Sequence, residues 1–516
     1  MKGLLVAGTA SDAGKSVVAA GLCRWLARQG LKVAPFKGQN MSLNSVVTHD
    51  GAEIGRAQAM QAAAAGAEPE AAMNPVLLKP GGDGRSQVMV LGEPVADADA
   101  LGYRNLKPRL RETALSCLAD LAARFDVVVC EGAGSPAEVN LREADFANMG
   151  LARAAGLPAV VVADIDRGGA IAGLFGTLAL LGAEDQALVS GFVINKFRGD
   201  PRLLAPGLDT LADLTGRPTL GVLPWQPGLW VDAEDSLSLP AAGMTGSGGP
   251  AASSPGAARD PLRVAVVRLP HISNFTDTDP LAAEPGVAVR FVTSAAEVAD
   301  ADLVILPGSR ATVADLAWLR ERGLAAAIAE RAARARPVLG ICGGYQMLAT
   351  EIHDNVESKA GVVPGLALLP AVARFGQAKV LRQCSGTAFG WPVTGYEIHH
   401  GVVATTAATP AQTVAPQATA GQHSPFPGGC AVAAVRGTTW HGLLESDGFR
   451  RELLSQVAAE TGQSFTPTAV CFHDVRERQL DTLGDLVANH LDTAALMDLI
   501  EHGPTPGLPF IPPGAP

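Results

Sequence analysis

Two short stretches of this chain have the residue types and spacing to do chemistry. Gly8-Thr9-Ala10-Ser11-Asp12-Ala13-Gly14-Lys15-Ser16 reads as a phosphate-binding loop. Gly340-Ile341-Cys342-Gly343-Gly344 reads as a cysteine nucleophile on a sharp strand-to-helix turn. The first would hold a nucleoside triphosphate; the second would attack a carbonyl. Together they suggest an enzyme that activates a carboxyl group and traps it with nitrogen taken from elsewhere.

A phosphate loop works because backbone N–H groups and a helix N-terminus surround an anion. Thr9, Asp12, Gly14, Lys15 and Ser16 are therefore the nucleotide-binding candidates, with Lys15 reaching the β- and γ-phosphates and Ser16 ligating Mg²⁺. The loop is irregular: five residues separate Gly8 from Gly14 where four are usual, and Thr9 stands where glycine is usual. Glu131 ends the apolar run Val127-Val128-Val129-Cys130, where open α/β sheets place ligands, and is a second candidate for oxygen-ligated Mg²⁺. Asp50, in Thr48-His49-Asp50-Gly51, is a weaker metal candidate, and Asn195-Lys196 reads either as a contact to a nucleotide base or as a simple turn. The stretches Pro35–Ser45 and Asp164–Gly169 are dense in amides, hydroxyls and charges. They read either as hydrogen-bonding loops for a polar substrate or as self-capped turns.

Around Cys342 the small flanking residues permit the strained turn of a nucleophile elbow. A downstream histidine, His441, is the expected proton acceptor. The backbone amides of Gly308, in Leu306-Pro307-Gly308-Ser309, and of Gly343 would form an oxyanion hole; each donor is worth about 3 kcal/mol in the transition state. Leu443 occupies the position two residues after the histidine, where many cysteine triads place a glutamate. Either Glu445 orients His441 or the site works as a Cys–His dyad. Glu397, His399 and His400 invite a metal reading, but Gly395–Gly401 looks more like a strand with alternating faces, and no further ligand has suitable spacing.

The elements that must position these residues alternate. Short apolar strands at Gly3–Gly8, Lys32–Phe36, Val127–Cys130, Ala159–Ala163 and Gly191–Ile194 are interleaved with helices at Val17–Gln29 and Ala52–Ala65. That is the pattern of a parallel sheet covered on both faces. A second alternating region has strands at Arg263–Val267, Leu303–Leu306 and Pro337–Ile341. The reading is α/β throughout, with two doubly wound domains. Residues 1–237 form the nucleotide domain, 238–261 a Gly/Pro/Ser linker and 262–454 the cysteine domain. Residues 455–516 form a helical appendage (Leu480–Leu499) with a disordered Pro-rich tail. Thr405–Pro427 reads as a surface insertion.

Composition narrows the class. A net charge of −11 argues against a nucleic-acid partner, which requires basic patches. The seven cysteines are widely spaced, without a C-x-x-C pair, which disfavours disulfides and zinc. Neither a signal peptide nor a membrane span is legible, so a reducing cytoplasm is expected.

The longer phosphate loop resembles that of dethiobiotin synthetase, and Gly340–Gly344 with His441 resembles the class I glutamine amidotransferases. Partitioning ATPases share the first core, but their signature lysine is replaced here by Ala10. Glu53–Ala59, Met73–Pro80, Glu131–Pro136, Asp164–Gly169, Asn195–Asp200 and Ile272–Asp277 complete a set that resembles the cobyric acid synthase family. The resemblance implies a P-loop NTPase-like, dethiobiotin-synthetase-like domain followed by a class I glutamine-amidotransferase-like domain. It implies glutamine, ATP with Mg²⁺, and a corrinoid as small-molecule substrates and cofactors. The b, d, e and g carboxylates of adenosylcobyrinic acid a,c-diamide would become amides. Cobyrinic acid a,c-diamide synthase, and a nucleotide-switch ATPase with a non-catalytic amidotransferase-like domain, are the alternatives.

Overall fold

The computed structural model describes residues 1–81, 84–230, 260–405 and 428–513. The domain end near Leu237, nearly all of the expected linker and the Thr405–Pro427 insertion beyond its first residue lie outside the described residues.

The first domain is built on a six-stranded, wholly parallel sheet. Its order is Thr219–Pro224, Val189–Phe197, Ala159–Asp164, Gly3–Gly8, Val127–Glu131, Val33–Phe36. Alternation along Gly3–Gly8 sends Leu4 and Val6 into one apolar layer and Leu5 and Ala7 into the other, as a doubly covered sheet requires. Four adjacent strands bring Gly8, Glu131, Asp164 and Asn195 to one edge, and the phosphate loop leaves from that edge.

Two elements depart from the sequence expectation in this domain. The expected helix Ala52–Ala65 is a short strand, Glu53–Gly55, followed by the helix Arg56–Ala64. Glu53–Gly55 pairs antiparallel with Ser45–Val47, and Gly55 is still extended where the helix begins. The C-terminal segment is not an appendage. Its helix breaks at Leu491 into Phe472–His490 and Thr493–His502. Leu480, Leu483, Val487, Leu496 and Ile500 pack into the same apolar layer as Leu4, Val18 and Leu26. Each fully buried side chain of this kind contributes about 1.5–3 kcal/mol. Approach is closest at Gly21, where a Cβ would stand 2.7 Å from the Leu483 carbonyl oxygen. Arg24 and Arg28 lock the contact to Asp481 at 2.6 and 2.7 Å. The Pro-rich tail is likewise held rather than disordered as far as Ile511, whose backbone exchanges two 2.8 Å hydrogen bonds with the Gln186 amide.

The second domain has a six-stranded sheet ordered Val287–Val292, Leu262–Val267, Leu303–Leu306, Val338–Ile341, Val435–Thr438, Gly429–Val432. All its pairings are parallel except the last. A long hairpin, Ala371–Ala388 with Trp391–Thr405, leans toward the first domain. Across that interface Asn274 donates to the Ser45 carbonyl at 2.6 Å, and Thr276 donates to the Asn44 side chain at 3.0 Å. No helix among the described residues is long and apolar enough to cross a membrane.

Candidate active sites

In the first site, Gly14 has φ 99°, and a Cβ there would run into the Asn195 amide. Asn195 in turn donates to the Ala13 carbonyl at 3.0 Å and so fixes the loop's shape. Lys15 donates to the carbonyls of Ala10 and Gly134, at 2.9 and 3.1 Å, folding back over the loop. Thr9 is tied by its backbone N–H to the Val162 carbonyl at 2.9 Å. Asp12 sits on the exposed rim with φ 58°, its carboxylate 3.3 Å from Arg167.

Glu131 is completely buried and is the hub of this site. It accepts from Ser16 at 2.8 Å, from Lys37 at 2.9 Å and from Gln61 at 2.5 Å. Burial alone would raise its pKa; the Lys37 ammonium, the Gln61 hydrogen bond and the Lys15 charge together outweigh that and hold the carboxyl below its ordinary range. Ser16 and Glu131 offer hard oxygen donors side by side, which suits Mg²⁺. Gln61 Oε1 and Asn148 Oδ1 are buried here without a hydrogen-bond partner among the described residues. Asp50 is not brought to this cluster. It lies in the turn between Ser45–Val47 and Glu53–Gly55, exposed, accepting from the Thr48 hydroxyl. Its carboxylate is engaged in closing a hairpin. Much of the amide-rich stretch after Pro35 is similarly spent: Asn40 donates to Gln58 at 2.6 Å, and Asn44 faces the second domain.

In the second site, Cys342 has φ 51° and ψ −107°, a strained backbone for a residue with a side chain. It is over-determined by its neighbours. A Cβ on Gly340 would stand 2.8 Å from the backbone of Tyr345, and one on Gly344 would collide with the Leu306 carbonyl. A Cβ on Gly343 would come within 2.7 Å of the Ser309 nitrogen, so Gly308-Ser309 lies against the turn as an oxyanion hole requires. His441 packs there too: a Cβ on Gly308 would stand 3.1 Å from His441 Cε1.

His441 is only 1% exposed. Its Nδ1 lies 2.7 Å from Asp277 Oδ2, and Asp277 Oδ1 accepts from the Gly442 backbone N–H at 2.8 Å. Burial pushes the imidazole pKa down, but the charges of Asp277 and Cys342 outweigh it and lift it from 6.5 to about 10. The Tyr396 ring stacks on His441 at 5.6 Å, and the two residues exchange backbone hydrogen bonds of 3.0 and 2.8 Å. Glu445 does not orient this histidine. It is paired with Arg56 of the first domain at 2.7 Å. The carboxylate that meets the imidazole is Asp277, at the end of the Ile272–Asp277 motif. Of the possible metal cluster at His399-His400, Glu397 is taken up by Thr439 and Arg382, both at 2.5 Å.

Residues 4–238 match the family described as a CobQ/CobB/MinD/ParA nucleotide binding domain, and residues 263–449 a CobB/CobQ-like glutamine amidotransferase domain. The chain is 61% identical to a cobyric acid synthase of Frankia casuarinae, over 99% of both chains. It belongs to the cobyric acid synthase family. Cobyric acid synthases of Streptomyces coelicolor and Streptomyces avermitilis are 60% and 59% identical, each over 100% of this chain and 99% of theirs. The two matched families fall on the two sites: the nucleotide domain carries Lys15, Ser16 and Glu131, and the amidotransferase domain carries Cys342, His441 and Asp277.

Proposed function

We propose that this chain uses ATP and glutamine to amidate the b, d, e and g carboxylates of adenosylcobyrinic acid a,c-diamide, giving adenosylcobyric acid for cobalamin biosynthesis. The observation that carries the reading is the strained Cys342 beside an Asp277–His441 pair, in the same chain as a phosphate loop.

At the cysteine, His441 holds the thiol proton, and the Cys342 sulfur attacks the glutamine carboxamide carbon. The Gly308 and Gly343 amides take the oxyanion. The proton passes from His441 to the leaving nitrogen; ammonia departs and a glutamyl thioester remains. Water then opens the thioester and releases glutamate. At the phosphate loop, a corrinoid carboxylate oxygen displaces ADP from the γ-phosphorus, giving an acyl phosphate. Ammonia attacks the acyl carbon and phosphate leaves. Lys15 neutralises the transferring phosphoryl group. Ser16 and Glu131 would hold Mg²⁺, which supplies further charge neutralisation when bound. Asn195 shapes the loop, and Asp12 with Lys196 borders the nucleotide.

Incubation with ATP, Mg²⁺, glutamine and adenosylcobyrinic acid a,c-diamide tests the reading. Each amide formed is expected to accompany one ADP, one phosphate and one glutamate. Amidation of cobyrinic acid in preference to its a,c-diamide would place the chain with the a,c-diamide synthases. Nucleotide turnover without any amide product would favour a nucleotide switch.

A further inference from the structure

The cleft that holds Cys342 is not made by the amidotransferase domain alone. Lys79 and Gln87 of the first domain form part of its wall, together with Arg310 and His399 of the second. Both come from the small sheet in which Val76–Pro80 pairs with Ser86–Val90.

The polar groups in this cleft divide into spent and unspent. Lys79 and Lys379 both pair with the buried Glu53, the second at 2.5 Å. Arg310 pairs through Nη1 with Glu357 at 2.9 Å. Gln87 Oε1 and Arg310 Nε have no hydrogen-bond partner among the described residues, whereas His399 Nε2 lies 3.5 Å from Glu397 Oε1. Gln87 and His399 are each only 8% exposed. The Gln87 amide nitrogen is 3.5 Å from His400 Nε2, which fixes the side chain while its oxygen stays unmatched. Buried polar atoms in a native protein are normally satisfied, and orphans grouped in one cleft mark the place of a polar ligand. An acceptor from one domain and a donor from the other, in the cleft of a cysteine nucleophile, match the two ends of an α-amino acid.

We infer that Gln87 of the nucleotide domain is a glutamine-binding residue. Its Oε1 accepts from the substrate's α-ammonium, Arg310 Nε donates to the α-carboxylate, and the carboxamide end is left for Cys342. The glutaminase pocket is then complete only when the two domains are docked, so glutamine capture belongs to the whole chain. This assignment rests on the glutamine-dependent reading above.

The test is steady-state kinetics of the full-length Gln87→Leu and Gln87→Glu variants, with glutamine and separately with ammonium chloride as nitrogen source. Removing a hydrogen bond to a charged group should raise the KM for glutamine at least about tenfold in Gln87→Leu. The KM for ammonium should stay within about twofold. Gln87→Glu keeps the acceptor and should hold the glutamine KM near the parent value. An unchanged glutamine KM in Gln87→Leu overturns the assignment. So does parallel loss of glutamine and ammonium activity, which would make Gln87 a structural residue of the interface. If the unmodified chain releases no glutamate from glutamine, the underlying reading itself fails.

Discussion

Asp277 grips the Nδ1 edge of His441 at 2.7 Å from 164 positions away in the chain, and its other oxygen holds the Gly442 backbone. The contact sets both the tautomer and the orientation of the imidazole that faces Cys342. Asp277→Asn keeps the shape but not the charge. Glutamine-dependent turnover should fall by about 10³-fold or more, while ammonia-dependent amidation stays within a few-fold. Glu445→Gln should leave glutamine turnover within about threefold. Rates of glutamate release in the two variants decide between the acids.

The same pair makes a prediction about pH. Because His441 is raised from 6.5 unfolded to about 10 folded, its favourable contribution is fully present below pH 6.5. It declines as the pH rises and is lost as it passes about 10. The difference in melting temperature between the parent chain and His441→Gln should therefore shrink steadily from pH 7 to pH 10. A difference that is constant with pH contradicts the imidazolium pairing.

Glu131→Gln removes the charge that faces Lys37 and replaces one of the two acceptor oxygens with an NH₂ donor. Breaking a buried pair on one side costs about 3–5 kcal/mol. ATP-dependent amidation should drop with either nitrogen source, while glutamate release from glutamine persists. Melting curves with and without MgATP should show the stabilisation by nucleotide reduced in the variant.

The C-terminal helices should behave as core elements of the first domain. Leu483→Ala should destabilise that domain by about 2–5 kcal/mol, measured by denaturant unfolding. A detached appendage would give no change.

Much of both sites was legible because it is local. Lys15, Ser16 and Cys342 sit in contiguous motifs whose spacing states their chemistry, and Glu131 ends an apolar strand. What was not legible depends on distant chain segments meeting. Asp277 lay inside a noted motif, but no spacing links it to His441, and the habit of seeking an acid just after the histidine pointed to Glu445. Lys37 and Gln61 converge on Glu131 only through the sheet order. Asp50 looked like a metal acid because a hairpin turn and a ligand loop share residue types. The Pro-rich tail gave no sign of its anchorage, since Gln186 and Ile511 are 325 positions apart. The helix expected over Ala52–Ala65 lost its first turn to pairing with Ser45–Val47, a tertiary effect that outweighs local propensity.

The central claim is that two separate sites, one releasing ammonia and one using it, share this chain. Amidation of adenosylcobyrinic acid a,c-diamide by Cys342→Ala, supplied in turn with glutamine and with ammonium chloride, tests it most directly. The account predicts that glutamine no longer supports amidation while ammonium supports it at close to the parent rate. Loss of both activities, or continued use of glutamine, would contradict it.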